Sequence, residues 1–293
     1  MERRRWDLTL PLPSYWSRWT ATIACVLACS ATLHWTMAEL RVFNGDYSPE
    51  MLLADPHVHT TRSDGWWEPE RLAEAAVACG LSAIGITDHD DVAAGFAVAD
   101  AVSRRGLPLR VYVGQEISAR VDGHDVHVLG LDLTEEVRPW QSVQATIDGI
   151  LKQGGFPILP HPRTAGRGFP TFAQILALDV PVAVEIYNAS MIDLKRLRNR
   201  SLPDANHEAR AFYEANRDLL AGAVGGTDAH FRTVGRGLTA YRGDFREAIA
   251  NRETAVLYRP VRERLRPWDP VGYIAGLRRL DRRRSEKYGP RPR

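Results

Sequence analysis

The residues that could do chemistry begin with two histidines that follow a short apolar run. Residues 51–54 predict a buried strand, and His57 and His59 come directly after it. Because successive side chains of a strand point to opposite faces, these two imidazoles point the same way. Such a pair can bind one divalent ion, and imidazole suits zinc, iron or manganese. Asp64 adds a carboxylate on the segment that leaves the strand. By itself the pair is equally consistent with two half-buried histidines that bind no metal.

Other side chains with metal-binding chemistry fall at or just past the ends of further predicted strands. They are His89, Glu116, His161, Asp228 and His230, and His127 lies within a strand. In α/β barrels the C-terminal ends of the strands form the active-site face. A chain without such a site would scatter its histidines over surfaces and helices, as it does His34 and His207. The positions therefore predict one cluster.

Only one of His124 and His127 can face that cluster, since residues three apart on a strand point to opposite faces. His127 begins an apolar run that ends at Gly130. We therefore expect His127 to point inward and His124 to lie in a loop. Asp228 and His230 repeat the same-face spacing of the first pair.

The elements that must position these residues alternate between strand and helix. Helices are predicted at 68–80, 92–105, 140–153 and 208–221. Strands are predicted at 51–54, 83–87, 110–113, 126–131, 157–159, 182–186 and 223–227. This alternation predicts βα units and a parallel sheet, and so an α/β fold.

Length and composition exclude several classes of protein. A chain of 293 residues fits a single α/β barrel, and its 44% hydrophobic and 25% charged residues are those of a globular protein. The net charge of +2 is too small to indicate nucleic-acid binding by itself. The 3 cysteines cannot form a disulfide framework, and we expect Cys79 to be a small core residue.

The N-terminal region is predicted to be separate from the α/β part. Residues 1–18 form a basic flank, 19–37 an apolar run and 38–50 a linker. The run fits a signal anchor, a cleaved signal peptide or a lipoprotein signal at Cys29, and a buried or disordered extension is the alternative. The first three place the catalytic part outside the cytoplasm, either membrane-anchored or secreted, and we favour the anchor.

Taken in order, the motifs resemble those of the polymerase and histidinol phosphatase (PHP) family of metal-dependent phosphoesterases. They are Asp55-Pro-His57-Val-His59, Ser63-Asp-Gly65, Ile86-Thr-Asp-His89, Gly114-Gln-Glu116, His127-Val-Leu-Gly130, His161-Pro162 and Thr227-Asp-Ala-His230. The resemblance covers 52–241 and implies a distorted (β/α)7 barrel, so we place the PHP hydrolase domain at 51–258. An arginine-rich C-terminal helix and tail would occupy 259–293.

The resemblance also implies three sets of metal ligands. The first set is His57, His59, Glu116 and Asp228. The second is Glu116, His127 and His161, so that Glu116 bridges two ions. The third is Asp64, His89 and His230. We therefore expect two to three divalent ions, of manganese, iron or zinc.

The expected reaction is hydrolysis of a phosphate monoester by attack of metal-bound hydroxide, without a covalent enzyme intermediate. Glu116, Asp64 and Arg163 are the candidate catalytic residues. A guanidinium matches phosphate oxygens, so Arg163 and, after it, Arg236 are expected to bind a small phosphorylated substrate. The candidates for stacking on the substrate, if they do not simply pack the loop, are Trp66 and Trp67.

Alternative functions remain open from the sequence. The same ions could serve a phosphodiesterase or exonuclease, or a carbamate or amide hydrolase, and a non-enzymatic metal-binding module is a further class. The large helical insertion that many nucleotide-directed relatives carry is absent between Gly130 and His161. The apolar stripe Val271, Ile274, Leu277 and Leu280 predicts an amphipathic helix. It would pack on the barrel or contact anionic lipid or nucleic acid.

Overall fold

The structure is a computed structural model that describes residues 39–163, 171–191, 204–231, 233–260 and 269–290. The predicted basic flank and apolar run lie outside the described residues. Among those described, no helix has the length and apolar character needed to cross a bilayer.

The described residues form ten strands and seven helices. The strands are β1 Arg41–Asn44, β2 Leu52–Val58, β3 Ala83–Ile86, β4 Arg110–Val121, β5 His124–Leu131, β6 Phe156–Leu159, β7 Ala183–Asn188, β8 Ala223–Gly226, β9 Gly237–Tyr241 and β10 Ala255–Tyr258. The helices are α1 Pro69–Ala78, α2 Ala93–Arg105, α3 Val143–Lys152, α4 Phe172–Leu176, α5 Ala205–Ala215, α6 Phe245–Ala250 and α7 Asp269–Tyr288.

All ten strands belong to one curled sheet, in the order β1-β10-β9-β2-β3-β4-β5-β6-β7-β8. The run β2-β3-β4 is parallel, and so is β6-β7-β8. Strands β5 and β9 are antiparallel to their neighbours, so the expected parallel sheet is in fact mixed. The curl brings the end of β2 to β8, where Val58 forms a parallel bridge with Ala229. The architecture is therefore mixed α/β around a half-barrel.

A long hairpin formed by β4 and β5 carries two candidate ligands, Glu116 and His127. Its two-residue loop is Asp122-Gly123, with φ of +47° and +77°, which is the geometry of a type I′ turn. Pairing extends from Gly114–Leu131 to Val121–His124. Glu116 therefore lies inside a long strand rather than at a strand end, whereas His127 lies within a strand as expected. His124 is exposed but begins β5, so its placement in a loop was wrong.

Helix α3 supports this hairpin from outside the sheet. The Ser142 hydroxyl accepts a hydrogen bond from the N–H of Ala145 at 3.2 Å and caps the helix. Ile147 and Ile150 of α3 are fully buried. A Cβ at Gly130 would lie 2.8 Å from the Ile150 side chain, so β5 and α3 approach closely only because glycine occupies that position. No other helix lies between Gly130 and His161 in this fully described stretch.

The two ends of the described chain depart from the sequence expectations. Strand β1 lies in the stretch predicted to be a linker and pairs with β10. The C-terminal helix exists, but of its predicted apolar stripe only Leu280 is buried among the side chains that the structure describes. Ile274 and Leu277 are 51% and 37% exposed, whereas Gly276 and Leu280 are buried.

Candidate metal centre

The Glu116 carboxylate lies at the centre of the candidate site and is 1% exposed. Nitrogens of five histidines approach its two oxygens at 2.7–3.4 Å. These residues are His57, His59, His89, His127 and His161. They come from β2, β5 and the segments after β2, β3 and β6. The curled sheet therefore brings together side chains from well separated parts of the chain.

The tightest group consists of His57, His59, Glu116 and Asp228, all buried. The two Nε2 atoms of the histidines are 3.3 Å apart. Each lies 3.2–3.5 Å from Glu116 Oε2 and from Asp228 Oδ1. Ligands about 2.0–2.1 Å from a tetrahedral ion are about 3.3 Å from one another. The donor atoms thus have the spacing of a four-coordinate site, and this group is the first ligand set expected from the sequence.

A second group contains His59, Asp64, His89 and His230. Asp64 Oδ2 lies 3.2 Å from His230 Nε2 and 3.7 Å from His89 Nε2. His59 Nδ1 lies 3.7 Å from Asp64 Oδ1. This group contains the third expected set, with His59 added. A neutral imidazole has only one nitrogen lone pair, so His59 can serve either this group or the first, not both.

The third group contains His89, Glu116 and His127. His127 Nδ1 lies 2.7 Å from Glu116 Oε1, and His161 Nε2 lies 3.2 Å from the same oxygen. The expected set had His161 rather than His89. The structure places both imidazoles against Glu116, and the division of ligands among ions stays a prediction.

Burial and opposite charges set the protonation of this cluster. Burial would raise the pKa of the Glu116 carboxyl, but His127, His89 and His57 outweigh it and hold that pKa well below its usual value. Burial would lower the pKa of His57, but Asp228, Glu185 and Glu116 raise it well above normal. In the protein without ions His57 therefore carries a proton that metal binding must release, whereas burial holds the pKa of His89 well below its usual value.

Several buried acceptors test whether the residues fit metal ions. Asp64 Oδ2, Glu116 Oε2 and Asp228 Oδ1 make no hydrogen bond within the described part of the chain, and neither does His59 Nδ1. Buried polar atoms are normally paired, because leaving them unpaired is costly. All four atoms belong to the groups above, and oxygen and imidazole donors suit divalent ions. The residues present therefore fit bound cations.

Two residues of the site have strained backbone. His161 and Asp228 have φ of +36° and +54°, in the region that residues other than glycine rarely adopt. The N–H of Asp228 donates to the carbonyl of His57 at 2.8 Å, and this bond holds the turn after β8 against β2. Strain of this kind persists where surrounding contacts enforce it, as at ligand sites.

Glu185 on β7 holds two candidate ligands at once. Its Oε1 lies 3.1 Å from His57 Nδ1, and its Oε2 accepts the N–H of His161 at 3.0 Å. Since a carboxylate only accepts, His57 Nδ1 must donate, which leaves Nε2 to face Glu116 and Asp228. The Asn188 amide donates to Glu185 and also to Asp228, at 2.8 and 3.1 Å. Neither Glu185 nor Asn188 belongs to a ligand group, and both hold candidate ligands from outside the groups.

Two carboxylates that sequence reasoning left without a role hold the loops of the site. Asp88 accepts hydrogen bonds from the backbone and hydroxyl groups of Thr60 and Ser63, at 2.6–3.0 Å, and so fixes the loop that carries Asp64. Asp55 accepts from Thr227 and from the N–H of Gly235, at 2.5–2.9 Å. Their position inside the histidine motifs was the only available signal.

The candidate substrate-binding residues lie outside the three ligand groups. Arg163 is half-buried, and its Nη2 lies 3.5 Å from Met191 Sδ. Arg236 is 4% exposed, and its N–H donates to Thr227 Oγ1 at 2.9 Å. Trp67 packs against the apolar cluster that contains Leu72, so it packs the loop, as the alternative to stacking on the substrate would have it. Trp66 is half-buried.

The chain is similar to one protein family and to several individual proteins. The model of the PHP domain matches residues 55–176. The 5′-3′ exoribonuclease Rnm of Salmonella typhimurium is 42% identical over 82 residues, 28% of this chain and 28% of that protein. The uncharacterized protein MJ1587 of Methanocaldococcus jannaschii is 30% identical over 120 residues, 37% of this chain and 67% of that protein.

A solved structure shares the fold. The crystal structure of a two-domain protein from Bacteroides vulgatus, which contains a predicted PHP-like metal-dependent phosphoesterase, aligns with a TM-score of 0.54 and 19% identity. The alignment covers 74% of this chain and 68% of that chain. This chain belongs to the PHP domain family. It spans only 28% of the length of the exoribonuclease, so the family does not by itself specify the activity of the whole protein.

We predict that Glu185→Gln weakens metal binding without unfolding the protein. The neutral amide loses the charge that faces His57, and loss of such an outer partner lowers metal affinity about 10–100-fold. Competition with a chromophoric chelator measures the affinity, and Glu253→Gln, at an exposed position, is the matched control. Wild-type affinity in Glu185→Gln would show that Glu185 only holds a loop.

Proposed function

We propose that this protein is a metal-dependent phosphoesterase that hydrolyses a phosphate monoester. The observation that carries the proposal is the set of three ligand groups inside a PHP domain, which are linked because each pair of groups shares one residue: His59, His89 or Glu116. Bound divalent ions would add more positive charge than the carboxylates of Asp64, Glu116 and Asp228 return. The surplus favours an anionic substrate, and a phosphate monoester fits it well.

The chain's own residues would hold and orient the reacting groups. The grouped histidines and carboxylates would bind the ions, and Glu185 would keep Nε2 of His57 directed into the site. When bound, such ions act as Lewis acids and make coordinated water acidic enough to react near neutral pH. Arg163, close after His161, would bind phosphate oxygens, because its planar fork matches them. Arg236 and the two tryptophans stay further candidates.

A phosphodiesterase or exonuclease is the second candidate, and one observation favours it. The relative that is 42% identical over 82 residues is a 5′-3′ exoribonuclease. The same ligand groups would serve either ester, because both reactions need a polarised phosphoryl group and an activated water. The absence of a helical insertion between Gly130 and His161 is compatible with a longer substrate.

We further propose that the centre binds two to three ions of manganese, iron or zinc. We also propose that the half-barrel corresponds to the seven-unit barrel of the family, with residues 51–258 as the domain. Donor chemistry supports the metals, since imidazole and carboxylate together suit all three.

Metal content tests the centre directly. Protein purified without chelator, or reloaded with Mn²⁺, should contain two to three ions per chain by elemental analysis. Because binding to the folded state stabilises it, removal of the ions should lower Tm. Fewer than one ion per chain after reloading would contradict the ligand groups.

Steady-state kinetics separate the roles of Glu116 and Arg163. Glu116→Gln should lose at least one ion, and turnover should fall by several orders of magnitude because the nucleophile depends on the ions. Arg163→Ala should keep its ions; KM should rise if Arg163 binds only the ground state, and kcat should fall too if it binds the transition state.

The assay uses phosphate monoesters, phosphate diesters and carbamates on metal-loaded protein. Hydrolysis of monoesters supports the proposal, turnover of diesters alone supports the second candidate, and turnover of carbamates alone supports an amide-type hydrolase. Full metal content and normal turnover in Glu116→Gln would overturn the bridging role.

We propose that the catalytic part lies outside the cytoplasm. The basic flank at 1–18 and the apolar run at 19–37 support a signal anchor. A C-terminal reporter that is active only after export should be active on the full chain. A reporter active only in the cytoplasm would exclude export, and mature protein beginning near Ala31 would favour cleavage instead.

A further inference from the structure

The C-terminal helix α7 lies against the loops that carry the metal centre. Its least exposed side chains recur every three or four residues. They are Gly276, Leu280, Arg283, Arg284 and Tyr288. This spacing is one face of a helix. It differs from the apolar stripe expected from the sequence, because much of what it contacts is polar.

The closest contact is between Gly276 and Asp64, a candidate ligand. A Cβ added at Gly276 would lie 2.8 Å from the Cα of Asp64, closer than real Cβ contacts. Only glycine therefore allows the helix backbone to reach this loop. Seven residues after Gly276, Arg283 donates to the carbonyl of Arg62, in the same loop as Asp64. One face of α7 thus forms part of the wall beside Asp64.

Arg284 extends this wall to the group that contains His89, Glu116 and His127. Its Nη2 lies 2.6 Å from Asp90 Oδ2, and Asp90 directly follows His89. The same Nη2 donates to Ser118 Oγ at 2.7 Å. Ser118 is the cross-strand partner of His127 in the β4–β5 hairpin. Side chains of directly opposed residues lie on one face, about 4.5–5.5 Å apart at Cβ. The guanidinium therefore contacts the cross-strand partner of His127 and the residue that follows His89.

The guanidinium retains a donor that no described residue uses. Both contacts of Arg284 are made through Nη2, and its Nε is buried without a hydrogen-bond partner in the described part of the chain. Asp90 is 3% exposed and already accepts the N–H and hydroxyl of Ser118. The Nε atom itself is buried, but the Arg284 side chain as a whole keeps 19% of its surface exposed, so a phosphate would approach the guanidinium from its exposed side.

We propose that α7 is a wall of the metal centre and that Arg284 binds an oxygen of the substrate's phosphate beside His127. The inference rests on the proposed function, since it assumes a phosphorylated substrate. A guanidinium recognises phosphate through directed N–H donors as well as through charge. Asp90 holds Arg284 in place and so lowers the entropy lost when phosphate binds. Arg163 would be a second phosphate contact, as proposed above.

The test measures binding of inorganic phosphate to Mn²⁺-loaded protein by calorimetry. Arg284→Gln should weaken phosphate binding by about tenfold or more, the effect of one charge-assisted hydrogen bond. Arg284→Lys keeps a cation beside Asp90 and hence the position of α7, but it lacks the planar guanidinium. Its phosphate affinity should also fall about tenfold. Ion content, measured alongside, should stay at the wild-type value in both variants.

Two control variants distinguish phosphate binding by Arg284 from a purely structural role in holding α7 in place. Arg282→Gln changes an exposed arginine on the same helix and should leave the phosphate Kd unchanged. Tyr288→Phe removes the hydroxyl whose oxygen lies 3.2 Å from the Asp90 carbonyl oxygen and 3.0 Å from Glu136 Oε2, and it leaves Arg284 unchanged. Its phosphate Kd should also be unchanged.

Wild-type phosphate affinity in either Arg284 variant would overturn the inference, and so would an equal loss in Tyr288→Phe. No phosphate binding by the wild-type protein would overturn it as well. A protein that binds phosphate through Arg284 but hydrolyses no ester would overturn the proposed function and leave this inference standing. Ester hydrolysis by the wild-type protein, with unchanged phosphate affinity in both Arg284 variants, would support the proposed function and overturn this inference.

Discussion

The burial of Glu116 among histidines is the constraint on which the rest of the site depends. A buried carboxylate needs opposite charge or donors, and five imidazoles surround this one. Without ions the balance is met by protons, because the neighbouring carboxylates raise the pKa of His59 to about 9 against the effect of burial and of His230. Divalent ions can replace those protons. A buried carboxylate without positive charge nearby is unfavourable, so the same arrangement favours metal binding.

Carboxylates that are not candidate ligands set the geometry of the site. Asp88 accepts a backbone N–H from the segment after β2, Asp55 accepts one from the segment after β8, and Asp90 accepts that of Ser118 within β4. These bonds tie the segments after β2, β3 and β8 to the sheet. Burial raises the pKa of Asp55 to about 6, because its hydrogen bonds only partly offset the loss of water. Such groups are kept for position rather than for stability, since positioning ligands to a fraction of an ångström requires locked supports.

The sequence predicted the local elements that depend on local patterns. Apolar runs, glycine stops and helical spacing predicted α2 and β3 closely, and the alternation predicted an α/β fold. It did not predict the antiparallel strands β5 and β9 or the pairing of β1 with β10, because strand direction and partner are decided by contacts between distant residues. The face of α7 was missed for a related reason. Its partners are the polar loops of the site, which an apolar stripe cannot indicate.

The sequence by itself determined which residue types are available and in what order, and that was enough to name the nine candidate ligands and their resemblance to the PHP family. Only the tertiary structure decided which of them meet. It placed both His89 and His161 on Glu116, gave His59 two possible groups, and brought Glu185 behind His57 and Arg284 beside His127. The physical reason is that these neighbours come from segments up to more than a hundred residues apart, as in the pair His57 and Glu185 with a separation of 128. Their contact depends on the curl of the sheet, which spacing along the chain does not encode.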